Sequence, residues 1–339
     1  MGKGLSKFNK LVFFLNVLAA LFMLLACISH FISWGVFSFL TFPSLFLPYL
    51  VVANAFFLVY WALKGKRQIL LPILILLFGY FTQDSFFKIL DANDELEEGD
   101  IKILTFNVGG FNGIEGMRNP IPKERIINFI NRQNADILCL QEFDSRIRKK
   151  FNHYPYRFII PNESDKSPQT IFSKYPIINK GAFNFPDSAN DGIYADILKG
   201  TDTLRVYNIH LQSYKVRPRS FKREAPDRLF NRLNKSFQKQ QQQANLVKEH
   251  ANQVRYKKII CGDFNNTQFS SVYATIKGDM KDSFQEKGIG LGNTYTFKFL
   301  PFRIDFILTD PELEITSHKN FDVRLSDHTP VMASFRLKE

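Results

Sequence analysis

Residues 257–265 read KKIICGDFN: two lysines, a short apolar run, then Gly262-Asp263-Phe264-Asn265. An apolar run of this length bounded by a glycine predicts a buried strand from Lys257 to Cys261. Gly262 permits a tight backbone at its end. Asp263 and Asn265, two residues apart, then present a carboxylate and an amide where the strand stops. A single Gly-Asp is an ordinary turn. What gives this one weight is that the pattern recurs along the chain.

Upstream, Ile101–Val108 (IKILTFNV) and Asp136–Gln141 (DILCLQ) predict strands, the first carrying Asn107 and the second running into Glu142. Between them Lys123–Asn134 places Ile126, Ile127, Phe129 and Ile130 at helical spacing. Thr203–Leu211 alternates and sets Val206, Asn208 and His210 on one face. Downstream, Arg303–Leu308 and Pro330–Leu337 predict two more strands, with Asp327-His328 just before the last. Asp305 is expected inside its strand, between Ile304 and Phe306, where an unpaired charge is costly. Taken singly, each of these polar residues has a plain reading as a loop carboxylate, a turn amide or a packed histidine. Gathered on one rim, they point to oxygen ligands for a hard divalent cation beside imidazoles that move protons. No HExxH and no paired CxxC occurs, which excludes the usual zinc peptidase and zinc-finger patterns. Strands alternating with a minority of helices predict an α/β or α+β sandwich.

In order, ILTFNV, ILCLQE, NIHLQS, CGDFN, RIDFIL and LSDHTPV resemble the successive motifs of the endonuclease/exonuclease/phosphatase superfamily, over about residues 101–337. The resemblance, to a membrane-anchored bacterial type, implies an α/β fold: a four-layered α/β sandwich of two packed β-sheets with outer helices and the site at one edge. It implies a divalent-metal-dependent hydrolase of phosphoric esters using Mg²⁺ or Mn²⁺. By the same resemblance Asn107, Glu142 and Asp327 hold the metal, and His210 bonds the phosphate and helps the leaving oxygen. Asp263 orients the attacking water, Asn265 contacts the phosphate oxygens, and Asp305 pairs with His328. Either Asp263 or His328 takes the proton of the water. No equivalent of the nucleases' additional Arg or Tyr phosphate clamp is evident between Glu142 and His210, which loosens the inference to any one substrate.

Of the 339 residues, the first hundred are chemically different from the rest. They hold seven Lys/Arg and seven Asp/Glu, so the whole net charge of +12 lies in residues 101–339. Overall 45% hydrophobic and 22% charged residues exclude wholesale disorder. Apolar runs predict a bundle of three transmembrane helices within an anchor of residues 1–90, at about 11–34, 45–63 and 69–90, the last interrupted by Pro72, Asp84 and Lys88. Lys3, Lys7 and Lys10 before the first run and Lys64, Lys66 and Arg67 after the second predict a cytoplasmic face for both. A third crossing then places the catalytic domain, 101–339, outside the cytoplasm of a bacterial inner membrane, beyond an acidic linker at 91–100 (DANDELEEGD). Leu24-Leu25-Ala26-Cys27 is similar to a lipoprotein cleavage box, but the chain stays apolar beyond it, so Cys27 is expected to remain buried in the membrane. Three cysteines cannot build a disulfide framework or a four-thiolate zinc site.

Residues 217–258 carry 12 Lys/Arg against 3 acids, with Arg217, Arg219, Lys222 and Arg223 in a loop and a solvated helix from Ser236 to Arg255. Such a stretch serves either a polyanion or plain solubility. Expected partners are therefore the membrane and a phosphate ester (a lipid headgroup, a phosphorylated metabolite or nucleic acid), with no obligate protein partner. A membrane-tethered nuclease is the alternative, and a non-catalytic scaffold the remote one.

Overall fold

The computed structural model describes residues 5–32, 35–89, 99–114, 121–160, 167–215, 224–297 and 300–337. Most of the acidic linker and the basic loop residues Arg217, Arg219, Lys222 and Arg223 lie outside them. The chain divides into two units, 1–86 with 267–274, and 87–266 with 275–339.

The first unit is built on three helices, α1 (Lys7–Ser29), α2 (Leu47–Lys64) and α3 (Leu70–Thr82). Two apolar helical stretches, Lys7–Ser29 and Ser38–Lys64, are long enough to cross a membrane. The third is shorter than the expected 69–90: α3 ends at Thr82, Gln83 is extended, and Lys88 already pairs with Gly290 in the other unit's own bridge. Asp84 and Lys88, which interrupt the apolar run, mark where the helix gives way. Large apolar side chains such as Phe8, Phe14, Phe56, Leu63 and Phe81 are exposed, while Asn16 and Asn54 are fully buried. Asn16 Oδ1 accepts from the indole of Trp61 at 3.1 Å, joining α1 to α2. Residues 267–274 belong to this unit. Phe269 is buried in a cluster with Met23, Ala26, Cys27, Leu47 and Ile75. Thr267 Oγ1 donates to the Ser44 carbonyl and Gln268 Nε2 to that of Ser85.

The second unit is two packed mixed β-sheets. In the first, β1 (Ile101–Asn107) lies between β14 (Val331–Leu337) and β2 (Ile137–Gln141), and the order is β13 (Leu313–Asn320), β14, β1, β2, β4 (Gln169–Ser173), β3 (Tyr156–Ile159). In the second the order is β5 (Ile177–Phe183), β6 (Gly192–Lys199), β7 (Asp202–His210), β8 (Lys257–Asp263), β12 (Asp305–Thr309), β9 (Lys281–Asp282). A hairpin of β10 (Tyr295–Phe297) and β11 (Leu300–Phe302) stands apart. Alternation decides the layers: Ile101, Ile103, Ile137, Cys139, Val206, Ile259, Cys261 and Ile307 fill the space between the sheets. Leu104, Phe106, Leu138 and Leu140 face outward onto Ile126, Ile127 and Ile130 of α4 (Lys123–Gln133). The basic helix, α5, runs Pro226–Asn252, ten residues earlier in onset than the sequence implies because Pro226 opens it.

Two β-α-β units position the site. β1 and β2 are parallel and joined through α4; β7 and β8 are parallel and joined through α5. Parallel neighbours end on the same side, so each unit delivers two strand ends to one rim. Beneath that rim the sheets are stitched by amides. Gln141 Nε2 donates to Asn208 Oδ1 at 2.6 Å, and Asn208 Nδ2 donates to the carbonyls of Leu140 and Thr170. All three residues at the heart of this bridge, Thr105, Gln141 and Asn208, are fully buried, which makes the bridge a specific register lock.

Candidate active site

Three adjacent strands of the second sheet present His210, Asp263 and Asp305 side by side. His210 pairs with Asp263 in the parallel β7–β8 register, and Asp263 with Asp305 in the antiparallel β8–β12 register. Asp305 is the first residue of its strand rather than an interior one, so it too sits at the rim. Gly262 makes the close strand approach possible: its φ is +131°, and a Cβ there would lie 2.0 Å from the Ile209 carbonyl oxygen.

One oxygen, Asp263 Oδ2, is the hub. Asn107 Nδ2 from the opposite sheet donates to it at 3.1 Å, and the Nε2 atoms of His210 and His328 lie 3.5 and 3.6 Å away. The other oxygen, Oδ1, accepts from the backbone N–H of Asn265 at 2.8 Å, and the Asn265 amide donates to the Leu211 carbonyl. Asn107 also donates to Glu142 Oε1 at 3.3 Å, which in turn lies 4.0 Å from His210 Nε2. Glu142 and Asn265 both adopt positive φ, 53° and 50°, a conformation that turns each chain sharply at the rim. Asp327 is exposed and accepts from Ser326 Oγ. All eight residues singled out in the sequence thus meet within one constellation.

Electrostatics divides the two imidazoles. His328 Nδ1 bonds Asp305 Oδ2 at 2.8 Å. Burial works against a charge on this ring, but Asp305 and Asp263 overcome it and hold its pKa well above the ordinary value. Burial dominates at His210 and lowers its pKa, outweighing Asp263. Asp263 is raised, chiefly by burial and against the pull of His328, with Asp305 adding to the rise. Two like rings pushed in opposite directions make one a standing cation and the other a neutral donor or acceptor.

Sequence reasoning missed the supports. Thr294 Oγ1 accepts from the backbone N–H groups of Ile304 and Asp305, fixing the carboxylate that holds His328. Tyr295 packs its ring 5.0 Å from that of His328, and burial with Asp327 pushes its phenol up to about 12. Ser167 Oγ lies 3.3 Å from His210 Nδ1. None of the three belongs to an apolar run ending in a polar residue, the signal that revealed the others.

The donors fit a hard divalent cation. Asn107, Glu142 and Asp327 offer amide and carboxylate oxygens. Burial raises the Glu142 carboxyl and Asp327 repels it further, a tension a cation relieves. Asp305 Oδ1 is buried without a hydrogen-bond partner. Asp263, Asp305 and His328 also bring ligand atoms within 4.8 Å of one another.

A sequence model of the Endonuclease/Exonuclease/phosphatase family matches residues 104–328, two thirds of the chain, and the chain belongs to that family. Residues 9–86 match a domain of unknown function (DUF8431). No curated protein matches. Among solved structures, an endonuclease/exonuclease/phosphatase from Bacteroides vulgatus is 19% identical, covering 71% of this chain and 100% of its own at a TM-score of 0.52. The mannosyl-6-phosphatase Bt3783 of Bacteroides thetaiotaomicron is 16% identical, with 70% and 100% covered at 0.52. D. rerio TDP2 complexed with a single-strand DNA product is 15% identical, with the same coverages and TM-score. At these identities the likeness is one of fold. Members of the family are hydrolases of phosphoester bonds, generally dependent on a divalent metal.

Proposed function

We propose that the chain is a membrane-anchored phosphoric ester hydrolase, dependent on Mg²⁺ or Mn²⁺, in which an activated water attacks phosphorus. The observation that carries this reading is the convergence of Asn107, His210 and His328 on Asp263 Oδ2, with Glu142 beside them. Asn107, Glu142 and Asp327 would hold the metal, which when bound neutralises charge on the phosphoryl oxygens. The Asp263 carboxylate, held by Asn265 N–H through its other oxygen, takes the proton of the attacking water. His328, kept cationic by Asp305, donates to a phosphoryl oxygen as negative charge builds there. His210 is neutral and lies on the Glu142 side, positioned to hydrogen-bond the ester oxygen that leaves. As the new O–P bond forms the ester P–O bond breaks; the leaving oxygen, hydrogen-bonded by His210, takes its proton from solvent water, and Asp263 returns to solvent the proton it took from the attacking water. The second amide hydrogen of Asn265 remains available to a phosphate oxygen.

Membrane anchoring is supported by the two long apolar helices and their exposed apolar side chains. Lipid headgroups or phosphorylated metabolites are the preferred substrates. Nucleic acid is the second reading, favoured by exposed Arg228, Lys235 and Lys248 along α5. The detergent-solubilised chain should hydrolyse bis(p-nitrophenyl) phosphate with added Mg²⁺ and stop on chelation. Turnover by a Glu142→Ala/His328→Ala double variant equal to the parent would overturn the assignment. Strong cleavage of plasmid DNA with inert phospholipid vesicles would reverse the substrate order.

A further inference from the structure

Residues 240–243 read QQQQ, and the helical period of α5 turns two of the four inward. Gln240 is fully buried and Gln243 nearly so, while Gln242 faces solvent. A glutamine amide carries two donor hydrogens and two acceptor lone pairs, and burying it unpaired is costly. Gln240 fills all four. Its Nε2 donates to the carbonyls of Gln212 at 2.7 Å and Asn265 at 3.1 Å. Its Oε1 accepts from the Tyr214 hydroxyl at 2.8 Å and the Asn266 amide at 2.9 Å. The two carbonyls can only accept, so the nitrogen has one side on which to lie and the amide one orientation.

The four partners come from two places. Gln212 and Tyr214 follow His210 at the end of β7, and Asn265 and Asn266 follow Asp263 at the end of β8. One side chain, on the helix that joins those strands, therefore ties together the two exits that carry rim residues. Asn265 needs such a tie. At φ 50° it lies in the left-handed region, which a residue with a Cβ keeps only when its surroundings hold it there. Its N–H is taken by Asp263, its side-chain amide by Leu211 and its carbonyl by Gln240. The last of these bonds grips the peptide plane that follows Asn265, and with it the residue's ψ.

We propose that Gln240 is a positioning residue of the rim, acting through Asn265 to aim the amide hydrogen that meets a phosphate oxygen. The proposal rests on the hydrolase reading above. Gln240 itself touches no reacting atom.

The test uses the full, detergent-solubilised chain with Mg²⁺ and bis(p-nitrophenyl) phosphate. Gln240→Met, close in size but without an amide, should lower kcat about tenfold and leave KM within about twofold. Gln243→Met removes another buried amide of the same helix face, one that holds the Gln212 N–H at 2.8 Å and does not reach Asn265. It should keep kcat within about threefold of the parent. In an Asn265→Ala background Gln240→Met should cost less than about twofold more, since the group it aims is gone. A parental kcat in Gln240→Met, an equal loss in Gln243→Met, or a loss that multiplies undiminished on Asn265→Ala overturns the positioning role and leaves the hydrolase reading standing. If Gln240→Met does not fold, Gln240→Asn, which draws the amide back by one methylene, takes its place with the same expectations. If the parent turns nothing over, the hydrolase reading falls and hydrogen exchange decides the tie. The Asn265 N–H should then exchange about tenfold faster in Gln240→Met and at the parental rate in Gln243→Met. Equal exchange in Gln240→Met and the parent overturns it.

Discussion

The helical unit and the β-sandwich are built inside out relative to each other. In the helical unit Asn16 and Asn54 are buried and pair internally, while Phe8, Phe14 and Leu63 face outward. In the sandwich the apolar residues fill the space between the sheets and the carboxylates, amides and imidazoles collect at one rim. The same physical rule operates in both: each unit hides the groups its surroundings cannot solvate. The anchoring proposed above makes hydrocarbon the surroundings of one and water those of the other. A buried polar group consequently means different things. In the helices it joins two neighbours; at the rim it is held ready for chemistry.

Substitutions can break this contrast, the most severe first. Asp263→Asn should lower kcat about a thousandfold or more, because it removes both the proton acceptor and the partner of two imidazoles. Asn16→Leu should leave kcat near the parental value. Comparable losses in both variants would mean that buried polar groups serve one purpose throughout. Gly262→Ala should cost about 3 kcal/mol or more, lowering the thermal midpoint of the sandwich by roughly 10 °C, since the new Cβ collides with backbone. A midpoint within two degrees or so of the parent would show that β7 and β8 can part without penalty.

A pH effect of intermediate size comes from His318, far from the rim in chain terms and bonded to Ser283 Oγ at 2.8 Å and Asn320 Oδ1 at 2.9 Å. Burial lowers its pKa from 6.5 to about 4. Between those values the unfolded chain binds the proton more readily than the folded one, so stability falls as pH drops through that window and is fully present above it. The loss is on the order of 3 kcal/mol across the window. Denaturant titrations of His318→Gln from pH 7 to 4 should show a flatter profile than the parent; parallel profiles would remove the effect. The smallest change is expected for Asn16→Leu itself, about 1 kcal/mol of helix association in detergent through loss of the Trp61 bond.

Much of the sandwich and its rim is legible along the chain because period-two alternation ends abruptly on a polar residue. Asn107, Glu142, His210 and Asp263 all announce themselves this way. The strand holding Asp305 begins two residues later than the sequence implies: Arg303 and Ile304 are contiguous with its apolar run, yet β12 begins only at Asp305. Thr294 and Tyr295 reach the site from a hairpin that no periodicity ties to it. The Gln141–Asn208 bridge joins residues 67 apart, and its pairing depends on how the sheets stack. Residues 267–274 (TQFSSVYA) mix four polar residues with Phe269, Val272, Tyr273 and Ala274, too short and mixed a run to mark them as part of a helical core.

That last segment has a bearing on how the protein is disassembled. The polypeptide passes from one unit to the other at 86/87, returns at 266/267 and leaves again at 274/275. A protease nicking the acidic segment between the units would therefore cut the chain without separating them, because Phe269 would still be lodged among Met23, Cys27 and Ile75. Cutting that one connection leaves the two remaining ones, at 266/267 and 274/275, still tying the sandwich to the helical unit.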